Sequence, residues 1–436
     1  MTQSLTSKNS ESSNISITKL NIKSNESGKT VSLLAGNAFN NVTYYESILQ
    51  DTVRVTVTFA DTGNSIDGKS VTEGLPLVGT EEVDLQIKDN KNQSLKIKLY
   101  VDNIDRPIEE AKKSLTVFSA VSEEFLMNEM GEVRIINRYD GKISEHIDKI
   151  LKKTLKTKKK CDIESTSNNY NFFGNNRKPF YILNWLSPRS VSSTAGKSGK
   201  TAGFFFFETS KGFNYKSIDG LFSQEPKRKF IYNQNVDKDG KVPAGYDGKI
   251  LEHRPGNAGN IQQKFQIGAY ATRLVVFNPF TCYYEVIKQE ASKEGVVLGG
   301  KKLPKLNDKF KSKFTRTTYM LLDVGTLPTG GVKEQIGKAK EQNFEVQKTL
   351  NQAIRRYNQM FALVEEITIA CDLGLNAGDV IYCDFPGLRV KRDDSVNKET
   401  GGKYIIVDLC HYISSDKVLT KLNLVRDSFG RTPPKR

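Results

Sequence analysis

Histidine is the scarcest reactive side chain in this sequence: 436 residues contain three, His146, His253 and His411. His411 shares an alternating stretch with Ile405, Val407, Leu409 and Ile413, which predicts a hydrogen-bonded core histidine rather than a catalytic base. Cysteine is nearly as sparse. Cys161, Cys282, Cys371, Cys383 and Cys410 are odd in number, never closer than twelve residues, and form no C-x-x-C. That pattern argues against a disulfide framework and a zinc site, and predicts reduced, mostly buried thiols. No serine or cysteine stands in a G-x-S-x-G context. The acidic pairs Glu365-Glu366 and Asp393-Asp394 are adjacent, so on a strand their side chains point to opposite faces. Long apolar runs are absent too: no stretch approaches the ~18 to 20 residues of a membrane span, and the N-terminus is polar rather than a signal peptide. The expectation is a chain that folds in the cytosol and has no active site, metal or cofactor.

Two stretches imitate ligand-binding loops. Thr194 to Thr201 ends like G-x-x-x-x-G-K-[ST], but Thr194 stands where the first glycine belongs, and the segment runs into phenylalanines instead of a phosphate-holding helix. Asp237-Lys-Asp-Gly-Lys begins like a calcium loop, yet its glycine comes fourth instead of sixth and position twelve is Gly248. It reads as a turn.

What the sequence does have is basic charge and alternating strands. The net charge is +15; residues 1–110 carry 11 Lys/Arg against 15 Asp/Glu, and the remainder 54 against 35. Such polarity bears on association with nucleic acid or an acidic neighbour, not on fold. Residues 1–14 read as a disordered leader. Val53, Val55, Val57 and Phe59 alternate with polar residues, as do Leu95, Ile97, Leu99 and Val101, which predicts antiparallel strands closing a barrel or sandwich. The period then changes: Ile143, Ile147, Ile150, Leu151 and Leu155 form a helical stripe, with Lys149 to Lys160 on its far face and C-terminal end. A second helix is expected over Phe344 to Tyr357, with Leu350, Ile354 and Tyr357 on one side. Strands follow at Phe361–Ile369, Leu375–Ile381, Gly402–Ile413 and Thr420–Gly430.

Between the two strand-rich regions lies Arg177 to Phe222, with the single tryptophan, Trp185, and four consecutive phenylalanines, 204–207. Apolar rings on both faces predict a central strand buried on two sides, and Ser210-Lys211-Gly212 supplies a hairpin turn towards Phe213 to Ile218.

Pro179, Trp185, Glu208-Thr209, Gly212-Phe213, Tyr215 and Ser217, followed by Gly378-Asp379, Gly402, Tyr404, His411 and Arg426-Asp427, together resemble the signature of the baseplate central hub proteins of contractile-tailed bacteriophages. The resemblance implies a mainly β (α+β) fold: two tail-tube-like antiparallel β-barrel domains joined by a smaller α/β connecting domain, with a loop-rich insertion. It places the first barrel at 15–140, the connecting domain with its aromatic hairpin at 141–255, the second barrel at 256–290 plus 344–430, the insertion at 291–343 and a fraying tail at 431–436. It further implies a non-enzymatic homotrimer in the virion tail, assembled in the host cytoplasm. Its partners would be a central spike protein, a tail-tube or tube-initiator protein and surrounding baseplate proteins, with DNA passing transiently through the lumen. The alternatives are a basic nucleic-acid-binding protein, a cell-wall-degrading enzyme and a hub-like spike protein of a contractile secretion system.

Overall fold

The computed structural model describes residues 15–34, 39–61, 69–70, 74–75, 77–89, 93–110, 113–193, 201–232, 242–256, 260–279, 281–290, 296–310, 313, 315–323, 325, 331–334, 343, 346–387 and 396–431. The leader 1–14, most of the phosphate-loop imitation, the first part of the calcium-loop imitation, the Asp393-Asp394 pair and residues 432–436 lie outside the described residues.

The first strand-rich region contains β1 (Ile15–Lys23), β2 (Thr30–Ser32), β3 (Phe39–Ser47), β4 (Arg54–Asp61), β5 (Glu82–Asp89), β6 (Ser94–Glu110) and β7 (Lys113–Val121), ordered β3-β4-β7-β6-β5-β1-β2 and antiparallel throughout. The period-two reading holds at side-chain level, since Val53, Val55, Val57 and Phe59 are all fully buried.

A helical and hairpin unit follows: α1 (Glu123–Met127), β8 (Arg138–Tyr139), α2 (Ile143–Lys149) continued by a wider π turn over Ile150–Thr154, β9 (Cys161–Ile163), β10 (Phe172–Phe173), α3 (Pro179–Leu186), β11 (Phe204–Thr209), β12 (Gly212–Ser217) and α4 (Ile218–Ser223). The helical stripe is buried as its spacing predicts. β11 is not a central strand: the order β11-β12-β9 leaves it at an edge of this small sheet. It is nonetheless buried at every residue, because Phe204 and Phe206 face the core of this unit while Phe205 and Phe207 face a second cluster with Ile405, Val407 and Val425.

The remaining elements are β13 (Lys229–Ile231), β14 (Gly248–Pro255), α5 (Ile261–Ile267), β15 (Ala271–Asn278), β16 (Tyr283–Glu290), β17 (Arg316–Leu321), α6 (Val346–Met360), β18 (Leu363–Ala370), β19 (Val380–Asp384), β20 (Gly402–Ser414) and β21 (Val418–Arg426). Six of them, β19-β13-β14-β18-β21-β20, close into a barrel through the β19–β20 pairing. Strand membership differs from expectation here. β13 and β14, expected in the connecting domain, are barrel staves. β15 and β16, expected in the barrel, form a separate sheet β16-β15-β17 with a strand from the presumed insertion. Alternation reveals a strand but not its partner, and β13 reaches both neighbours through parallel pairings that no short turn announces.

β20 joins the two strand-rich regions. Gly402–Ile405 pairs with β19, whereas Asp408–Ser414 pairs with β3, so the first sheet continues into the barrel along a single strand. A bulge between Ile406 and Asp408 accompanies the switch. It also shifts the face: Leu409 and Ile413 enter the core shared by both regions, while Ile405 and Val407 face the aromatic hairpin. His411 therefore does not share a face with Ile405 and Val407.

Candidate functional site

The residues that the sequence singled out do not converge on one pocket; six of the fifteen, Glu208, Thr209, Gly212, Gly378, Asp379 and Asp427, sit at buried polar joints between the three parts of the chain. The first joint is Glu46 of β3. One carboxylate oxygen accepts from the Tyr44 hydroxyl at 2.6 Å, the Ser210 amide at 2.7 Å and Asn376 Nδ2 at 3.0 Å; the other accepts from the Ala377 amide at 2.7 Å. Burial raises the Glu46 pKa, partly countered by these donors. One side chain thus ties the first sheet to the hairpin tip and to the turn at 376–379. In that turn Asp379 accepts from the Asn376 amide at 2.8 Å, and Gly378 has φ +84° with room for no Cβ, since one would lie 2.8 Å from the Phe207 ring.

Glu208 makes the second joint. Its carboxylate accepts from Thr52 Oγ1 at 3.1 Å and the Val53 amide at 3.2 Å, beside β4, and pairs with Lys159 at 2.6 Å; Lys159 also pairs with Glu124 at 2.6 Å. Burial opposes the Lys159 charge, but the two carboxylates outweigh it and raise its pKa. Lys159 thus turns inward, out of the run expected to lie on a solvated face. Thr209 and Gly212 close the hairpin tip. Gly212 has φ +121°, and a Cβ there would meet the Lys160 carbonyl oxygen at 2.1 Å. Gly212→Ala is expected to cost at least the ~1 to 3 kcal/mol of a strained backbone, read as a lowered denaturation midpoint, whereas Lys211→Ala should be near neutral.

The third joint is an ion cluster under the hairpin. Arg356 of α6, fully buried, pairs with Asp427 at 2.5 Å and Asp219 at 3.1 Å, donates to the Val297 carbonyl at 2.7 Å and lies over the Phe222 ring. Asp427 accepts from the Gly299 amide at 3.0 Å, and Asp219 from the Val297 amide at 3.1 Å and the Thr201 hydroxyl. The two carboxylates therefore anchor residues 297–299 of the expected loop. In α6 Leu350, Ile354 and Tyr357 are partly buried, and the buried positions include Asn351, Arg355, Arg356 and Gln359.

The other singled-out residues are structural as well. Pro179 opens α3 at the position where a missing N–H costs nothing. Trp185 is half-buried, 5.2 Å from Tyr170 and 5.4 Å from Phe172, with the Arg189 guanidinium 4.2 Å over its ring. Phe213 stacks on Phe206, Tyr215 meets Ser190 Oγ at 2.7 Å, and Ser217 caps α4 by accepting from the Gly220 amide at 2.9 Å. Arg426, fully buried 4.8 Å over the Tyr404 ring, donates to the carbonyls of Gly401 at 2.9 Å and Glu399 at 2.6 Å, just before Gly402, where φ is +140°. Arg431, expected to fray, holds Asp384 in a two-pronged pair at 2.9 and 2.8 Å.

His411 is buried against Tyr44, with Nδ1 2.8 Å from Thr420 Oγ1 and 3.6 Å from Cys371 Sγ. Burial pushes its pKa down to about 4. Between about pH 6.5 and that value the unfolded chain takes up a proton that the folded chain refuses, so stability falls as pH falls. Between pH 7 and pH 5 the native chain should lose about 2 kcal/mol more than a His411→Gln variant; equal slopes in urea titrations would contradict this. Glu46, with its raised pKa, works in the opposite direction in both proteins and cancels in the comparison.

Sequence reading missed Glu46, Glu124, Lys159, Asp219 and Arg356. Asp219 carried a usable signal, a lone carboxylate among Ile218, Leu221 and Phe222; Lys159 carried none within a lysine run. Among the described residues no group of three or more His, Cys, Asp or Glu could hold a metal ion, and no helix is long and apolar enough to cross a membrane.

One surface stands apart. The register of β16-β15-β17 places Val275, Phe277, Tyr284, Val286, Tyr319 and Leu321 on one face. Tyr319 is 74% and Leu321 64% exposed, while Leu274 and Val276 on the reverse are buried. Such a contiguous apolar face is characteristic of protein contacts.

No protein-family model matches the sequence, and no curated protein matches it. Solved structures do match. The 43 kDa tail protein of prophage MuSo2 from Shewanella oneidensis aligns over 94% of this chain and 99% of its own, at 10% identity and a TM-score of 0.53. This chain has the fold of a phage tail protein. The tail protein from Neisseria meningitidis MC58 aligns over 94% of this chain and 96% of its own, at 9% identity and a TM-score of 0.50. At these identities what is shared is the fold, and it spans nearly the whole chain, including the barrel, the hairpin unit and the first sheet.

Proposed function

We propose that the chain is a non-enzymatic subunit of a phage tail baseplate hub. Three copies form a ring whose paired β units present a pseudo-sixfold face to the tail tube or tube initiator and a threefold face to the central spike, with surrounding baseplate proteins outside and DNA passing through the lumen during ejection. The observation that carries the reading is the edge-to-edge joining of two β units by β20, on a fold shared end to end with two tail proteins. Fixed joints at Glu46, Glu208 and Arg356 suit such a role, because a symmetry adaptor needs units held at a set angle. The exposed face of β15 to β17 supplies an assembly surface. The virion tail is then the site of action and the host cytoplasm the site of assembly.

The nucleic-acid-binding alternative is weakened by the lysine run itself, in which Lys159 is consumed internally and Lys152 pairs with Asp148 at 2.6 Å. An acid-based glycan hydrolase is equally poorly supported, since Glu46, Glu208, Asp219 and Asp427 are buried and fully engaged. The end-to-end sharing of the fold with the two tail proteins supports a tail role over the secretion-system spike.

Light scattering should give three times the 48.9 kDa chain mass for the chain alone, or that mass plus the spike's when the spike is bound. Tyr319→Asp with Leu321→Asp should reduce that mass or prevent incorporation into tails, without changing the thermal midpoint of the single chain; a full-sized, tail-competent variant would remove this face from assembly.

A further inference from the structure

A cleft of about 470 Å³ opens beside the hairpin tip, between the β12 side of the connecting unit and the turn at 376–379. Its apolar floor includes Phe207 and Leu221, and four lysines line it, Lys160, Lys211, Lys216 and Lys227. The carboxylates in its walls are already committed. Asp162 pairs with Lys216 at 2.5 Å and Asp379 with Lys227 at 2.6 Å, while Glu164 accepts from Ser192 Oγ at 2.5 Å and from Ser217 Oγ at 2.8 Å. Among the described residues Lys160 forms no ion pair, and Lys211 feels Asp379 only in competition with Lys227, which holds that carboxylate at 2.6 Å.

Lys211 is further disfavoured as a cation by partial burial and by the neighbouring Lys227 ammonium, both of which lower its pKa. Two ammonium groups thus crowd one carboxylate, and an added anion would relieve their repulsion. Asn376, 4% exposed, also lines the cleft, and its Oδ1 lacks a hydrogen-bond partner.

We propose that this cleft binds an acidic peptide segment of a partner protein, with a carboxylate seated between Lys160 and Lys211 and an aliphatic or aromatic side chain on the Phe207–Leu221 floor. The wall chemistry selects peptide over nucleic acid. With three carboxylates against four lysines the walls offer little net charge to a continuous phosphate backbone, whereas a peptide brings one acid for Lys160 and Lys211, an N–H donor for the open Asn376 Oδ1 and its own apolar side chains. A volume of this size is typical of specific ligand sites. The inference does not depend on the hub reading, since it uses only this cleft.

Calorimetric titration of the full chain with the amide of acetyl-Glu-Leu-Glu-Leu tests it. Saturable binding is expected, with the Gln-Leu-Gln-Leu analogue and the Lys160→Ala/Lys211→Ala double variant each at least ten-fold weaker, and Lys309→Ala, outside the cleft, unchanged. Both cleft lysines are exposed, so the double variant should keep the native thermal midpoint. No saturable binding to the native chain, or equal binding by the double variant, would overturn the proposal. So would displacement of the peptide by a twelve-residue oligothymidylate that loses affinity with the same two lysines, which would make the cleft a polyanion site.

Discussion

Replacing Arg356 with methionine is expected to destabilise the chain by about 3 to 5 kcal/mol, because it strands Asp219 and Asp427 as buried charges without a counter-ion. The effect should be lopsided along the helix. Arg355, the next residue, is also buried, but its Nε and Nη1 have no hydrogen-bond partner, and burial with the adjacent Arg356 charge lowers its pKa to about 10. Arg355→Met therefore removes a cost rather than a contact and should be neutral or stabilising. The single tryptophan reports from the connecting unit, so urea titrations followed by Trp185 fluorescence read both variants. A loss under about 1 kcal/mol for Arg356→Met would mean that the cluster is solvated and that residues 297–299 are held by something else.

Phe206→Ala should cost a comparable ~3 to 5 kcal/mol. The ring is 2% exposed, stacked on Phe213 with centroids 5.6 Å apart and 5.3 Å from Phe180. Its removal leaves a cavity lined by aromatic groups that the flanking strand and helix fix in place. Trp185→Ala should cost less, since that ring is only half-buried and rests against Arg189. Stability unchanged by Phe206→Ala would place the hairpin on the surface and contradict the connecting role of β11.

How far the sequence could be read follows from what burial does to side-chain pattern. The strand at Val53 to Phe59 was legible because one face meets water and the other does not. The helical stripe from Ile143 was legible for the same reason, at a different period. The four phenylalanines correctly announced two buried faces, but not that the strand lies at a sheet edge, because hydrogen-bond partners leave no mark on composition. The bulge near Val407 was invisible: every residue from Tyr404 to Val407 is buried, so nothing in the apolar run shows where the face changes. β13 was misassigned because its parallel pairings with β14 and β19 need no short turn and so leave no local signal. The polar joints were hidden for a more general reason. Glu46, Lys159 and Arg356 belong to residue types that are mostly exposed, and only their partners, up to hundreds of residues away, make burial tolerable.

The central claim is that two β units per chain, locked by these joints, build a threefold ring with pseudo-sixfold symmetry. Averaged end-on electron micrographs of the assembled protein, with its spike or within the tail, test it most directly. The predicted image is a closed ring of three copies showing six β-unit densities around an axial channel. Single chains, or a ring in which the β units do not number six, would contradict it.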